Sequence, residues 1–220
     1  MKLSIIVPTL NEAREIRAAL DALAPLRARG HEVIVADGGS EDGTPRLAAG
    51  LCDRVVAGAR GRALQMNAGA RAASGDALVF LHADTRLPPH ADELIGSALR
   101  FSCWGRFDVA IDGRHPALMV VGRAMSLRSR LTGIATGDQA IFVRRDAFEG
   151  FPEIPLMEDI AFSKAMKRHG APACLRARVS TSARRWESRG VLRTVLLMWR
   201  LRLLYFLGAR PERLARLYES

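Results

Sequence analysis

Val79-Phe80-Leu81-His82-Ala83-Asp84 is an apolar run that ends in a polar triplet, with an aspartate as its last residue. This pattern is typical of a buried strand that delivers one carboxylate to the edge of a sheet. A second run, Val33-Ile34-Val35-Ala36-Asp37, ends in the same way. Open α/β sheets bind ligands at the carboxyl edge of their strands. The two runs therefore predict one cleft that receives the carboxylates of Asp37 and Asp84.

The first 85 residues alternate between strand patterns and helix patterns. In the first helical segment, Ile16, Leu20 and Leu23 form an apolar stripe at helical spacing. The strand-like runs lie at residues 3–7, 32–36, 54–57 and 77–81. A β-α-β-α-β-α-β order is the signature of a parallel sheet, so we predict an α/β fold with helices on both faces.

The second half has a less regular pattern. It predicts helices over residues 91–101 and 116–131 and strands over residues 106–111, 139–143 and 173–177, followed by a separate segment at 181–187. Neither an internal repeat nor a linker interrupts the chain. We therefore predict one domain over residues 1–190, divided into halves 1–85 and 86–190, and a helical extension over residues 191–220.

Composition narrows the classes of function. The chain has 220 residues, 49% of them hydrophobic, which indicates a globular domain with a full core. Its net charge of +10 comes mostly from arginine and indicates an anionic partner. The sequence contains no nucleic-acid-binding motif, and aromatic residues make up only 6% of it. Phosphorylated small molecules or lipid headgroups fit better than nucleic acid.

Cysteine usage and the N-terminus indicate the cytoplasm. The three cysteines, Cys52, Cys103 and Cys174, suit neither a disulfide framework nor a zinc site. The short apolar run after Lys2 ends at Pro8, which is the pattern of a strand and not of a signal peptide.

The C-terminal segment 191–207 is apolar and predicted to be a helix. It would be about 25 Å long, which is less than the roughly 30 Å of a bilayer core. It could pack on its own domain, form a dimer contact or lie at a membrane interface on the inner face of the plasma membrane. Arg193 and Arg200 share one face and Arg202 lies nearly opposite, which argues against a simple interfacial helix. We expect packing on the domain or on a second copy, with peripheral membrane contact as the alternative.

Several acids could carry chemistry. Two carboxylates at one sheet edge could hold Mg²⁺ or Mn²⁺ together with substrate phosphates. Glu158-Asp159 follows a proline-bearing loop, where acids either complement a helix dipole or act as a general base. His82 shares a strand face with Asp84. It could be a metal ligand, a hydrogen-bond donor to phosphate or a packed core histidine.

Taken together, these segments resemble a family 2 glycosyltransferase of the GT-A fold over most of the chain. Residues 5–12, IIVPTLNE, are similar to the family's first strand and its P-x-x-N-E turn. Residues 33–40 are similar to its V-D-D-G-S element, and Asn67-Ala68-Gly69 to its N-x-G. His82-Ala83-Asp84 takes the place of the metal-binding D-x-D, and Glu158-Asp159 that of the E-D base motif.

Arg185-Trp186 resembles the R-W of the family's Q-x-x-R-W motif, with Ser182 in place of the glutamine. Within the family, residues 61–69 and the His-Ala-Asp-Thr run resemble a small bacterial subgroup, some of whose members are assigned to arsenosugar biosynthesis.

The resemblance implies a role for each matching position. The donor would be a nucleoside-diphosphate sugar, with a UDP-sugar favoured. Its nucleoside would be bound by Pro8, Thr9, Glu12 and Asp37. Arg62, Gln65 and Asn67 would lie near the base, ribose or diphosphate. His82 and Ala83 would also belong to the site that binds the nucleotide sugar. Asp84 would bind Mg²⁺ or Mn²⁺, Asp159 would be the base with Glu158 beside it, and Arg185 and Trp186 would lie near the diphosphate or acceptor. His82 replaces the first aspartate of D-x-D, so metal binding depends mainly on Asp84.

These roles describe an inverting transfer of a sugar from a nucleoside diphosphate to an acceptor hydroxyl. The cation and arginines would stabilise the negative charge on the leaving diphosphate. Two other classes remain. A nucleotidyltransferase would carry a glycine-rich basic loop after the first strand, where this chain has Pro8-Thr9-Leu10-Asn11-Glu12. A non-catalytic membrane-surface or partner-binding module would explain the altered triplet and the basic tail, but not the retention of all the acids.

Overall fold

A computed structural model of the chain describes residues 1–219, apart from the side chains of Arg185 and Glu219. Over these residues, eight strands form one sheet in the order β3-β2-β1-β4-β7-β6-β8-β5. The strands are β1 (Leu3–Thr9), β2 (Glu32–Asp37), β3 (Arg54–Ala57), β4 (Ala77–Phe80), β5 (Thr85–Arg86), β6 (Trp104–Asp112), β7 (Ile141–Arg144) and β8 (Ala173–Ser182). Strands β3, β2, β1 and β4 are parallel, as the alternating sequence pattern predicted.

Helices cover both faces of the sheet. In chain order they are α1 (Ile16–Ala28), α2 (Thr44–Ala48), α3 (Arg62–Ala72), α4 (Ala91–Ala98), α5 (Ala117–Thr132), α6 (Glu158–Met166), α7 (Arg184–Arg189), α8 (Val191–Phe206) and α9 (Pro211–Glu219). One core cluster packs α1 and α4 against the sheet through residues such as Leu20 and Ile95. The other packs α3 and α6 through Met66 and Phe162. Because both faces are covered, β1 and β2 are apolar almost throughout, and the predicted α/β fold is confirmed.

Strand β7 reverses the direction of the sheet. It pairs antiparallel with β4, with Phe80 opposite Ile141, and antiparallel with β6. Strand β8 pairs parallel with β6 and antiparallel with the short β5. The start of β7 therefore lies at the edge where β4 ends.

Two parts of the chain differ from the sequence prediction. Strand β8 continues to Ser182 because it stays paired with β6 after a register shift at Phe107/Asp108, so residues 181–182 do not belong to a separate segment. The C-terminal extension has two helices where one was expected. Gly208, with φ of 88°, ends the first, and Pro211 begins the second.

None of the helices in residues 1–219 is both long enough and apolar enough to cross a membrane.

An amide clamp joins α3 to the loop before α6. The Nδ2 of Asn67 donates to the Phe151 carbonyl at 2.9 Å, and the Phe151 N–H donates to Asn67 Oδ1 at 2.8 Å. Phe151 stacks on Phe162 of α6, with ring centroids 4.3 Å apart. The clamp thus holds the loop that leads to Glu158.

Replacing Asn67 by alanine should lower the free energy of unfolding by about 2 kcal/mol, because two buried backbone groups lose their partners. Chemical denaturation measures this change. Arg71→Ala, on an exposed position of the same helix, should change it by less than about 0.5 kcal/mol. Equal effects of the two substitutions would contradict a specific role for the clamp.

Candidate active site

Several chain segments meet at the carboxyl edge of β4. His82-Ala83-Asp84 leaves β4 there, and a short 3₁₀ turn, Gly137–Gln139, leads into β7 at the same edge. The end of β8 joins them, because the Ser182 N–H donates to the Asp84 carbonyl at 3.1 Å. Helix α6 begins beside this edge with Glu158 and Asp159.

These segments enclose a cavity of about 390 Å³. Six of the residues predicted from the sequence line it, namely Arg62, His82, Asp84, Glu158, Asp159 and Trp186. Helix α5, the C-terminal helices α8 and α9, the turn before β7 and the end of β8 also contribute to its wall. The structure therefore brings the expected metal ligand and the expected base into one space.

Asp159 is an acid of this cavity with a strongly raised pKa. It accepts hydrogen bonds from the Gly137 N–H at 3.1 Å and from the Ile160 N–H at 2.7 Å. Burial, followed by the neighbouring charge of Glu158, raises the pKa of Asp159 to about 6, and the Gly137 hydrogen bond and the charge of Arg62 offset only part of this rise. An acid with this pKa is ionised at neutral pH and accepts a proton readily.

Glu158 is buried and pairs with Arg62, whose Nη1 lies 3.3 Å from the Glu158 Oε1. Burial lowers the pKa of the Arg62 guanidinium, but the charges of Glu158, Asp138 and Asp159 outweigh this effect and raise it. Arg62 therefore stays charged and links α3 to the start of α6.

His82 fits tightly against Gly137. A Cβ on residue 137 would lie 2.6 Å from the imidazole ring, so only glycine leaves room for it. The Nδ1 of His82 is 3.4 Å from Asp138, and its Nε2 is buried with no hydrogen-bond partner among the described residues. This ring nitrogen is thus a buried polar atom without a partner in the described part of the chain, next to Gly137.

Asp84 is half-buried and lines the cavity next to His82. Burial raises the pKa of Glu12, the Arg184 guanidinium lowers it, and the negative charge of Asp84 adds to the rise. In the described part of the chain, no group of three or more His, Cys, Asp or Glu side chains is arranged to hold a metal. The residues present still suit a cation that takes one or two carboxylates from the protein and its other ligands from substrate phosphates.

The expected nucleoside-binding residues lie outside this cavity, at the ends of β1 and β2. Asp37 accepts hydrogen bonds from the Thr9 hydroxyl at 3.0 Å, from the Ser40 hydroxyl at 2.5 Å, and from the N–H groups of Gly39 and Ser40. Its carboxylate therefore holds the loop after β2 in shape. Pro8 is half-buried beside Thr9.

Three other predicted residues turn their side chains into the protein. Gln65 donates through Nε2 to the Thr9 carbonyl, and Asn67 forms the clamp to Phe151. The methyl group of Ala83 packs in the core. The side chain of Arg185, also predicted, lies outside the described residues.

Arg128 of α5 lines the cavity and was not singled out from the sequence. Its Nε and Nη2 are buried and have no hydrogen-bond partner among the described residues. Burial lowers the pKa of this guanidinium, and the charge of Asp159 opposes that shift. One feature of the sequence could have indicated that Arg128 is buried. Gly122, Ser126 and Ser129 form a row of small residues, which marks the buried face of α5 next to Arg128.

The chain belongs to glycosyl transferase family 2, because the model of that family matches residues 4–151. No curated protein matches it significantly.

Solved structures share its fold. The crystal structure of S. aureus TarS 1–349 has a TM-score of 0.67 at 21% identity, and its complex with UDP-GlcNAc has a TM-score of 0.65 at 20% identity. Each match covers 83% of this chain, and they cover 61% and 58% of the respective TarS chains, so this chain spans about three fifths of the TarS length. Glucosyl-3-phosphoglycerate synthase from Mycobacterium tuberculosis, in complex with Mn²⁺, UDP and glucosyl-3-phosphoglycerate, has a TM-score of 0.59 at 22% identity, covering 82% of this chain and 70% of that one. The similarity shows a GT-A-like fold.

The raised pKa of Asp159 makes stability depend on pH. The folded state binds more protons than the unfolded state between about pH 4 and 6, so this carboxyl destabilises the fold increasingly as pH rises through that window. Asp159→Asn should therefore increase the free energy of unfolding by about 1–2 kcal/mol at pH 7.5 and leave it unchanged near pH 4. Denaturant titrations at the two pH values measure the difference, with exposed Asp21→Asn as the control. A destabilised Asn variant at pH 7.5 would contradict the burial argument.

Proposed function

We propose that this protein is an inverting glycosyltransferase. It moves the sugar of a nucleoside-diphosphate sugar, with a UDP-sugar favoured, to an acceptor hydroxyl. The observation that carries the proposal is the shared cavity, in which Asp159, an acid with a pKa of about 6, lies in the same space as Asp84 and three arginines. Family membership supports the same reaction class. We place the donor in the half formed by residues 1–85 and the acceptor in the half formed by residues 86–190.

Asp159 is the proposed general base. It takes the proton of the acceptor hydroxyl as that oxygen attacks the anomeric carbon from the face opposite the diphosphate. A bond from the acceptor oxygen to the anomeric carbon forms, the bond to the diphosphate oxygen breaks, and the anomeric configuration inverts. Glu158, held by Arg62, keeps the carboxylate environment negative and helps to keep Asp159 basic.

The leaving diphosphate needs positive charge. Arg62 and Arg128 line the cavity together with His82, whose Nε2 is buried without a partner among the described residues. Asp84 would hold Mg²⁺ or Mn²⁺ there, and the bound cation would supply Lewis-acid stabilisation of the diphosphate charge. Arg185 and Trp186 are proposed neighbours of the diphosphate or acceptor.

At the donor end we propose that Pro8, Thr9, Glu12 and Asp37 form the nucleoside site. Because the Asp37 carboxylate already accepts hydrogen bonds from Thr9 and from its own loop, it would act largely by presenting the loop backbone to the nucleoside. Gln65 and Asn67 would support that loop and the α6 loop from beneath, and Ala83 would contribute through its backbone.

UDP is favoured because the TarS and mycobacterial synthase structures are complexes with UDP-GlcNAc or UDP. Mn²⁺ is present in the mycobacterial complex. The comparisons give no support to the arsenosugar subgroup, so the proposal assigns no particular sugar or acceptor.

Nucleotide binding is the first test. UDP at a hundredfold excess over its dissociation constant should stabilise the fold by about 2.7 kcal/mol in the presence of Mn²⁺, as measured by thermal and chemical denaturation. Asp84→Asn should lose the Mn²⁺-dependent part of this gain, whereas Asp21→Asn on the exposed face of α1 should retain it. Absence of any UDP effect in the native chain would favour the non-catalytic alternative.

Turnover should follow the ionisation of Asp159. With UDP-sugars as donors, kcat/KM should fall as pH drops below about 6, because the protonated acid cannot accept a proton. Asp159→Asn should lower kcat at least about a hundredfold and keep UDP binding. Glu153→Gln, at an exposed position of the loop before α6, is the matched control. Full activity of Asp159→Asn would remove Asp159 from the role of base.

A further inference from the structure

Helix α8 exposes a continuous apolar stripe. At about 100° per residue, five large side chains fall within one narrow sector of the helix surface. They are between 57% and 78% exposed, and they are Leu192, Leu196, Trp199, Leu203 and Phe206. Thr194 and Leu201, on the opposite side, are buried against the domain. The exposed side of this helix is therefore as apolar as its buried side.

Arginines border this stripe on both sides. Arg193 and Arg200 lie along one border, and Arg202 lies along the other. From the sequence, this distribution argued against an interfacial helix, because the arginines occupied opposite faces. The structure changes that interpretation. The side of α8 with Thr194 and Leu201 packs on the domain, and the opposite, apolar side is exposed. The arginines therefore lie along the two edges of the exposed stripe.

Helix α5 repeats the pattern. Val120, Leu127 and Leu131 are exposed on it, and Arg123 lies at their border. Neither α5 nor α8 contains an aspartate or glutamate. Both helices also wall the active-site cavity, α5 through residues such as Met125 and α8 through residues such as Met198. The two apolar surfaces therefore flank the same cavity.

We propose that the exposed stripe of α8, together with the exposed residues of α5, docks on the surface of an anionic lipid bilayer. Leucine, phenylalanine and tryptophan side chains would enter the boundary between headgroups and acyl chains, and the bordering arginines would pair with anionic headgroups. Arginine stems can lie along apolar surface while the guanidinium reaches the headgroups.

Charge favours a bilayer over a second copy of this chain as the occupant. A symmetric dimer through α8 would bring two arginine-bordered, acid-free surfaces together, and like charges would face each other. An anionic bilayer supplies the opposite charge along the whole surface. The net charge of +10 adds a long-range attraction of the same sign.

Co-sedimentation of the full chain with vesicles tests this proposal. We expect binding to vesicles of phosphatidylglycerol and phosphatidylcholine in equal amounts, weak binding to phosphatidylcholine alone, and release at high salt. Leu203→Glu should weaken binding at least about tenfold. Phe101→Glu makes the same charge change at a residue that is 90% exposed after α4, away from this surface, and should leave binding unchanged.

Two double substitutions test the contribution of the arginines. Arg193→Gln with Arg200→Gln should weaken binding about thirtyfold. Arg17→Gln with Arg71→Gln removes the same charge from α1 and α3 and should weaken it far less. Unchanged thermal unfolding midpoints in all variants show that they fold, and because this measurement needs no UDP, it separates this proposal from the proposed reaction.

Three results would overturn the proposal: no binding of the native chain to the anionic vesicles, equal loss in the test and control variants, or a solution dimer that Leu203→Glu dissociates.

Discussion

The antiparallel pairing of β7 with β4 is the constraint on which the candidate active site depends. A purely parallel sheet would send the chain away from the carboxyl edge after each strand. Because Phe80 pairs with Ile141 in opposite directions, the turn before β7 lies against His82. Gly137 then donates its N–H to Asp159, so one pairing brings together the triplet after β4, the turn before β7 and the start of α6.

Charge in this region is concentrated and only partly compensated. Glu158 is buried with Arg62 as its partner, and Asp159 relies on two backbone N–H groups. Removing one member of a buried pair generally destabilises a protein strongly, whereas the intact pair contributes little net stability. The region therefore fits a functional explanation better than a structural one, since an apolar core would stabilise the fold at least as well.

The sequence predicted the parallel half of the sheet well, because strands covered on both faces leave continuous apolar runs, as in β1 and β2. It also named the acids that meet in the cavity. It could not separate side chains that line the cavity from those that brace it. Gln65 and Asn67 look like ligand-binding amides in the sequence, but their partners are the backbones of Thr9 and Phe151, which lie 56 and 84 residues away. Arg128 escaped notice because its importance arises from being buried without a partner, a property of packing and not of spacing. In the extension, the sequence placed the end of the apolar helix at residue 207, close to the end of α8, but it missed α9, whose residues 211–219 are mostly polar and form no long apolar run.

The C-terminal helices do more than extend the chain. Met157, next to the two acids of α6, packs with Leu201 of α8 and Leu214 of α9. The last helix is fastened by Arg189, which donates to the Tyr218 carbonyl at 2.9 Å and lies over the Tyr218 ring. The desolvation that raises the pKa of Asp159 therefore depends in part on a cover contributed by residues more than 40 positions later in the chain. If α8 and α9 moved away from α6, water would solvate the carboxylate and the pKa of Asp159 would fall towards that of an ordinary aspartate. The proton affinity of this acid is therefore coupled to the packing of the C-terminal helices.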